Sequence, residues 1–413
     1  MLDYTESLKS DFFYSAMMLN SDINYKTINE LTNKNIIRSY RDFYNLELLK
    51  SIANGDYELN NLIVTRIKKL IDSYSDICKI ANGYRRIADS NNIEVVSIED
   101  NYYPYNWRIQ CGMPKVFYFR GNYQILERMT LGGSAAVVGS RNPSNYAKYA
   151  TEEMCKALGN SGITIVSGMA YGIDRSAHMS SLKTLGSTVA VLAGGVDNIY
   201  PPANKDLYEA LIQNGIIVSE MPPGQRPLRQ YFPSRNRLIA GLSDCTLVME
   251  AGSVSGTLHT ASFAANQGKE IFVLPNSIYY ENCLGGLKLL EDGANVLLNA
   301  DNVVDSISHA LMFKRMAMGY KESVVFDDLE KEDISDHLSI DMIREIAKVR
   351  PEALDDDQWK CLIKDAITLK PLCIDELCVI TMLPFYKVSK LLTELELNGT
   401  VCQEKGKYSL TFV

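Results

Sequence analysis

From about residue 134 to 298 the chain repeats one unit: a short β-branched apolar run, a loop containing glycine, then a stretch with apolar residues three and four apart. The runs are SAAVV from 134, ITIVS from 163, STVAVLA from 187, IIVSE from 216, CTLVME from 245, EIFVLP from 270 and ANVLL from 294. Unbroken apolar runs belong to strands buried on both faces, and the helical stretches between them supply the cover. In the first crossover Tyr146, Ala150, Met154, Ala157 and Leu158 keep helical spacing, and Gly159 and Gly162 flank its exit. The pattern predicts an α/β core: a doubly wound, mostly parallel sheet.

The flanks read differently. Residues 1–93 carry helix-period segments such as NLIVTRIKKLIDSYSDI and no strand alternation, which predicts a helical N-terminal domain. The sheet domain is expected over 94–305, with KVFYFRG joining the sheet edge. Residues 306–358 lose strong periodicity and turn acidic, as a linker with partial helix does. From 359 to 413 the pattern returns. Asp375 is placed to cap a helix over ELCVI; Pro384 opens a second helix bearing Val388, Leu391, Leu392 and Leu395; Gly399 ends it; a hairpin turns at Lys405 to Lys407. Helix, turn, helix, hairpin is the order of a winged helix-turn-helix.

Composition narrows the function classes. The net charge is −8, but Glu322 to Asp357 alone holds 13 acidic and 4 basic residues, so the remaining chain is close to neutral. An acidic average therefore does not forbid a basic groove elsewhere. Nine cysteines include no Cys-x-x-Cys pair and histidines number four, which argues against a zinc site or a disulfide framework and for buried thiols. Neither a metal nor a cofactor is predicted. No apolar run reaches bilayer length, and the start MLDYTESLKSDFF lacks the plan of a secretory signal, so the expected location is the cytoplasm.

In an open doubly wound sheet, ligands bind beyond the carboxyl ends of the strands, where loops meet helix N-termini. The first run ends in Gly139, Ser140 and Arg141: a residue for a tight turn, a hydroxyl, and a planar guanidinium suited to phosphate. The second ends in SGMAYGIDRSAH, where Ser167, Gly168 and Gly172 make a phosphate-sized loop and Asp174 is placed to cap the next helix. The third is followed by GGVDNIYPPAN, the fifth by AGSVSGT. After the fourth, Arg226, Arg229, Arg235 and Arg237 fall among Tyr231 and Phe232. Interleaved guanidinium and aromatic groups suit a single-stranded nucleic acid, whose phosphates take the charge and whose bases take the rings. Taken singly, these features read as surface charge, tight turn or packing. Five successive strand ends carrying small or cationic residues on one rim favour a ligand.

Absences matter equally. The chain has no G-x-x-x-x-G-K-[ST] element, no G-x-G-x-x-G after a strand and no G-x-S-x-G elbow, so a P-loop ATPase, an ordinary NAD site and an α/β-hydrolase are unsupported. Asp174 and Glu250 could serve as acid and base, but a helix cap and a strand-end carboxylate explain them more simply.

The ordered stretches AVVGSRNPSNY, IVSGMAYGIDRSAH, VLAGGVDNIYPPAN, IVSEMPPG, YFPSRNRLIAGLSD and VMEAGSVSGTLHTASFAANQGKEIFVLP resemble the DNA-processing protein A (DprA, Smf) family. The resemblance covers roughly 95–300 and includes the tail, which is similar to the winged helix that many members carry. It implies an extended Rossmann-like domain that binds and protects single-stranded DNA, works as a homodimer, loads RecA recombinase onto strands covered by single-strand-binding protein in natural transformation, and has no catalytic turnover. Carried over by position, Arg141 holds a backbone phosphate with help from amides around Ser140, Ser167 and Gly168. Phe232, Arg235, Asn236 and Arg237 shape the groove, with Arg229 a cation just before them. Gly139, Gly172, Asn204, Lys205, Gly256 and Thr257 complete the expected DNA-binding set. Pro202 stands where relatives often have lysine, so that contact is either lost or passed to Lys205, and Asn276 replaces a usual glycine. The alternatives are a Rossmann-like nucleotide sensor or a phosphoribohydrolase relative, but in GSVSGTLHT Thr260 falls where the latter has its catalytic glutamate.

Overall fold

The computed structural model describes residues 4–100, 103–317 and 356–369, and, from 372 to 410, all but 375, 376, 378–380, 382, 384, 399, 405 and 406. The seven apolar runs become β3 (Ser134–Gly139), β4 (Thr164–Ser167), β5 (Thr188–Val191), β6 (Ile216–Ser219), β7 (Cys245–Glu250), β8 (Glu270–Val273) and β9 (Asn295–Val296). Each lies parallel to its neighbours among these seven. Upstream, β1 (Glu94–Ser97) and β2 (Val116–Gly121) add as antiparallel strands at the β6 edge, giving the order β1-β2-β6-β5-β4-β3-β7-β8-β9. Sequence order therefore reverses at β3, with β4 on one side and β7 on the other. That is the switch point at which the loops diverge and open a crevice.

Alternation along each strand divides the core. Ala135, Val137, Ile165, Leu247 and Met249 pack against α7 (Asn145–Asn160), α8 (Ile173–Ser181) and α13 (Ala300–Ala317) through residues such as Leu158, Ala177 and Ile307. Ala136, Val138, Val166, Val191 and Val248 face the other way, against α6 (Gln124–Gly132), α10 (Tyr231–Leu242) and α11 (Gly256–Asn266). Both faces are covered, which is why the runs carry almost no polar residue.

The helices expected over 1–93 are present as α1 (Tyr4–Asn20), α2 (Tyr25–Asn33), α3 (Leu46–Asn54) and α4 (Asn61–Asn91). They form a layer on the sheet: Phe12, Leu31 and Ile67 share one apolar core with Tyr118, Ala190 and Ile217. Tyr118 Oη donates to Ser15 Oγ at 2.8 Å, and Arg41 bridges Asp11 and Ser97. Residues 1–322 accordingly make one compact unit.

The second unit holds α14 (Asp356–Leu369), α15 (Phe385–Leu397) and the hairpin β10 (Val401–Glu404) with β11 (Lys407–Leu410), the parts of a winged helix. Trp359, Ile363, Leu377, Val388 and Leu391 form its own core. Asp375, Pro384, Gly399, Lys405 and the acidic stretch 318–355 lie outside the described residues. Residues 306–317, expected to begin the linker, continue α13. Among the described residues no helix is long and apolar enough to cross a membrane, and no His, Cys, Asp or Glu cluster suits a metal.

Candidate nucleic-acid interface

The loop after β3 is fixed by glycines that let two strand-end loops touch. A side chain at Gly139 would place Cβ 2.6 Å from Ile173 Cγ1, and one at Gly172, whose φ is +72°, would stand 2.4 Å from the Ser140 carbonyl oxygen. Without those atoms the Ile173 amide donates to the Ser140 carbonyl at 3.1 Å, and the Asn142 amide donates to Ser140 Oγ at 3.1 Å. Arg141 is thus held at the mouth of the switch-point strand. It is exposed, makes no ion pair among the described residues, and lies with its guanidinium carbon 5.8 Å from the centre of the Phe232 ring. Tyr200 meets the same ring edge-on, centroids 5.6 Å apart. A free cation beside two partly exposed rings offers a phosphate contact and a stacking face together.

Beneath this surface lies a buried polar network. Arg235 is almost wholly buried, and its guanidinium donates to the carbonyls of Gly168, at 2.7 Å, and of Val191. Gly168 makes room for it, since a Cβ there would fall 2.4 Å from the guanidinium. Asp174 accepts from the amides of Gly168 and Ala170 at 3.2 and 3.3 Å. His178 Nε2 accepts from the Met169 amide at 3.2 Å, while Nδ1 faces Thr188 Oγ1 at 2.7 Å. That hydroxyl gives its proton to the Ile165 carbonyl, so His178 must carry its hydrogen on Nδ1 and is neutral. Burial, and then the Arg235 charge, pull its pKa down to about 3. Burial lowers Arg235 to about 10, with the Arg141 charge acting in the same direction and Asp174 opposing. Burial raises Asp174, against the pull of Arg235.

This network changes two expectations. Ser167 Oγ is buried and donates to the Val137 carbonyl at 2.6 Å, and the Gly168 amide is taken by Asp174. Both were expected to assist a phosphate; their polar groups are turned inward and saturated, so they brace the rim from below. Asp174 does not cap α8 as expected, because it sits within the first turn and serves the preceding loop instead.

The other candidates divide by exposure. Lys205, Arg226 and Arg229 are exposed, as is Gly256. Lys205 stands 3.8 Å from Glu209 across open solvent, a contact of little weight. Asn204 is buried and donates to the carbonyls of Met169 and Ala170, linking the loops after β4 and β5. Arg175 reaches Asn204 and Asp206, and its hydrogen bonds hold the Asp206 carboxyl down at about 2. Asn236 donates to the Gly256 carbonyl at 3.2 Å, joining α10 to α11, and Thr257 is buried at the start of α11. Arg237 pairs with Glu220, whose carboxyl is raised by burial and pulled back by that arginine.

Helix α10 carries Phe232 to Arg237 and is anchored at its far end. Trp107 Nε1 donates to the Leu238 carbonyl, Asn106 Nδ2 to Leu242, and Lys269 Nζ to Ala240 and Gly241. These side chains satisfy carbonyls that a helix terminus leaves open. Sequence reasoning missed this cap and the Asp174–His178–Arg235 network. The spacing of Asp174 and His178, four apart on one helix face behind a glycine loop, was the available signal.

The family model for DNA recombination-mediator protein A matches residues 94–308, and that for the DprA winged helix domain matches 347–407. Protein Smf of Synechocystis is 35% identical over 322 residues, which cover 76% of this chain and 79% of that protein. The DNA processing protein DprA of Bacillus subtilis is 33% identical over 234 residues, 57% of this chain and 76% of the relative. The X-ray structure of DNA processing protein A from Streptococcus pneumoniae superposes with a TM-score of 0.53 at 32% identity, over 63% of this chain and 86% of that one.

Proposed function

Because the chain belongs to the DprA/Smf family of DNA recombination mediators, we propose that its rim holds single-stranded DNA and that the bound complex loads RecA recombinase onto the strand in natural transformation. The observation that carries this reading is Arg141: a fixed, exposed cation at the switch point, without a carboxylate partner among the described residues and set against Phe232. The exposed Arg226, Arg229 and Lys205 extend the positive rim, and polyanion binding scales with the number of phosphates such cations neutralise.

In this reading the protein acts in the cytoplasm as a homodimer, protects the incoming strand, and works where single-strand-binding protein must be displaced. It turns nothing over. Thr260 is buried where a phosphoribohydrolase has its glutamate, and Asp174, His178 and Glu250 are engaged in holding loops.

The test is a titration with oligonucleotides of increasing length beside free nucleotides, followed by RecA strand exchange on strands coated with single-strand-binding protein. Affinity that rises with length and falls steeply with salt belongs to the strand-binding reading. Tight binding of a mononucleotide with no gain from length would replace it with a nucleotide sensor. Unaltered strand exchange would remove the RecA role alone.

A further inference from the structure

We propose that the loop after β8 is a base-stacking extension of the strand-binding rim, with the Tyr279 ring as its platform; the inference rests on the single-strand reading above. Residues 275–283 leave the carboxyl end of β8, two strand positions from the strand that bears Arg141. Two strand spacings are about 10 Å, a short step along an extended nucleic acid.

Hydrogen bonds and close backbone packing make the loop continuous with the rim. Tyr146, in the first turn of α7, donates its hydroxyl to the Pro275 carbonyl at 3.2 Å. The Gly286 amide donates to the Ala251 carbonyl at 3.0 Å, and Gly285 packs so closely on Gly252 that a Cβ would lie 2.3 Å from its carbonyl oxygen. From these anchors the loop is turned by its own polar groups. The Ser277 amide donates to Asn276 Oδ1 at 2.7 Å, the Tyr279 amide to Ser277 Oγ at 3.2 Å, and the Tyr280 amide to the Ser277 carbonyl at 3.2 Å. The turn projects Ile278 and Tyr279, which are 67% and 91% exposed, and Val254 in the loop after β7 is fully exposed as well.

A base fits this patch better than an apolar protein face. At the root of the loop, among the described residues, Glu250 Oε1 is buried without a hydrogen-bond partner, and Asn276 lies against the Cys283 thiol. Exposed rings also recur along the same end of the sheet, as Tyr200 after β5, Tyr171 after β4 and Tyr146 after β3. Ring faces beside unpaired cations are the plan of a sequence-tolerant single-strand site.

The experiment compares wild type, Tyr279→Ala and Arg141→Ala by fluorescence anisotropy, with a series of deoxythymidine oligonucleotides and one of equal length carrying abasic sites along one end. Stacking predicts that Tyr279→Ala weakens the longer oligonucleotides by about 5- to 150-fold, the range for one lost base stack. It predicts little change for the shortest, and no further loss for Tyr279→Ala when the bases are removed. A Tyr279→Trp variant should show emission quenched by the normal strand and not by the abasic one. Unchanged affinity of Tyr279→Ala at every length, with Arg141→Ala weakened, overturns this inference and leaves the proposed function standing. Unchanged affinity with lost self-association assigns the patch to a second copy of the chain instead. A wild type that binds no strand removes both readings.

Discussion

Arg141 and Arg235 look alike in the sequence, each the centre of a Ser-Arg-Asn triplet, yet one faces solvent and the other supports the floor. Direction was not legible because it depends on Gly168, whose missing Cβ admits the Arg235 guanidinium beneath the loop. The position of Arg141 at a strand-end loop was legible, since it follows directly on the glycine and serine that end the first apolar run. His178 gives the residue-scale prediction. Its native pKa lies near 3, below the ordinary value of 6.5, so between those limits the unfolded chain binds more protons and stability falls as pH falls. Asp174, raised by burial, works in the opposite direction in acid. Relative to His178→Gln, the wild type should lose unfolding free energy from pH 6.5 downward at up to about 1.4 kcal/mol per pH unit, measured by urea denaturation. Parallel pH profiles for the two proteins would show that His178 is not buried neutral.

At the scale of elements, the seven apolar runs were readable because strands covered on both faces tolerate almost no polar residue. What holds α10 in place was not readable. Its C-terminal carbonyls are met by Asn106, Trp107 and Lys269, which come from two other parts of the chain, and no local pattern signals such a cap. The helical layer was legible as helices but not as part of the sheet's core, because the contact of Phe12 with Tyr118 is set by tertiary packing. Lys269→Met should leave the Gly241 carbonyl without its donor and the Ala240 carbonyl with only the Ser243 amide, and destabilise the protein by about 1–3 kcal/mol. Because α10 carries Phe232, strand affinity should fall with it. A thermal midpoint and an oligonucleotide affinity both equal to wild type would mean the ammonium is not a working cap.

For the molecule as a whole, the net charge of −8 is a poor guide to partners, since the acidic stretch masks a near-neutral remainder in which Arg141, Arg226 and Arg229 are exposed. The second unit has its own apolar core around Trp359 and Leu391. Its second helix balances Lys387 and Lys390 with Glu394 and Glu396, and Lys390 pairs with Asp356 and Glu394, so it offers little net charge to a duplex. A chain ending before Asp356 should therefore keep its thermal midpoint and its affinity for short single strands, both measured beside the full chain. A large drop in either would give the winged helix a share in the rim.

The most direct test of the account is the salt dependence of strand binding with and without the Arg141 guanidinium. Arg141→Ala should weaken a short oligonucleotide by about 1–3 kcal/mol and make the slope of log affinity against log salt shallower by about 0.7, the value of one single-strand phosphate contact. An unchanged slope, at whatever affinity, would mean that no phosphate sits at Arg141 and would contradict the account.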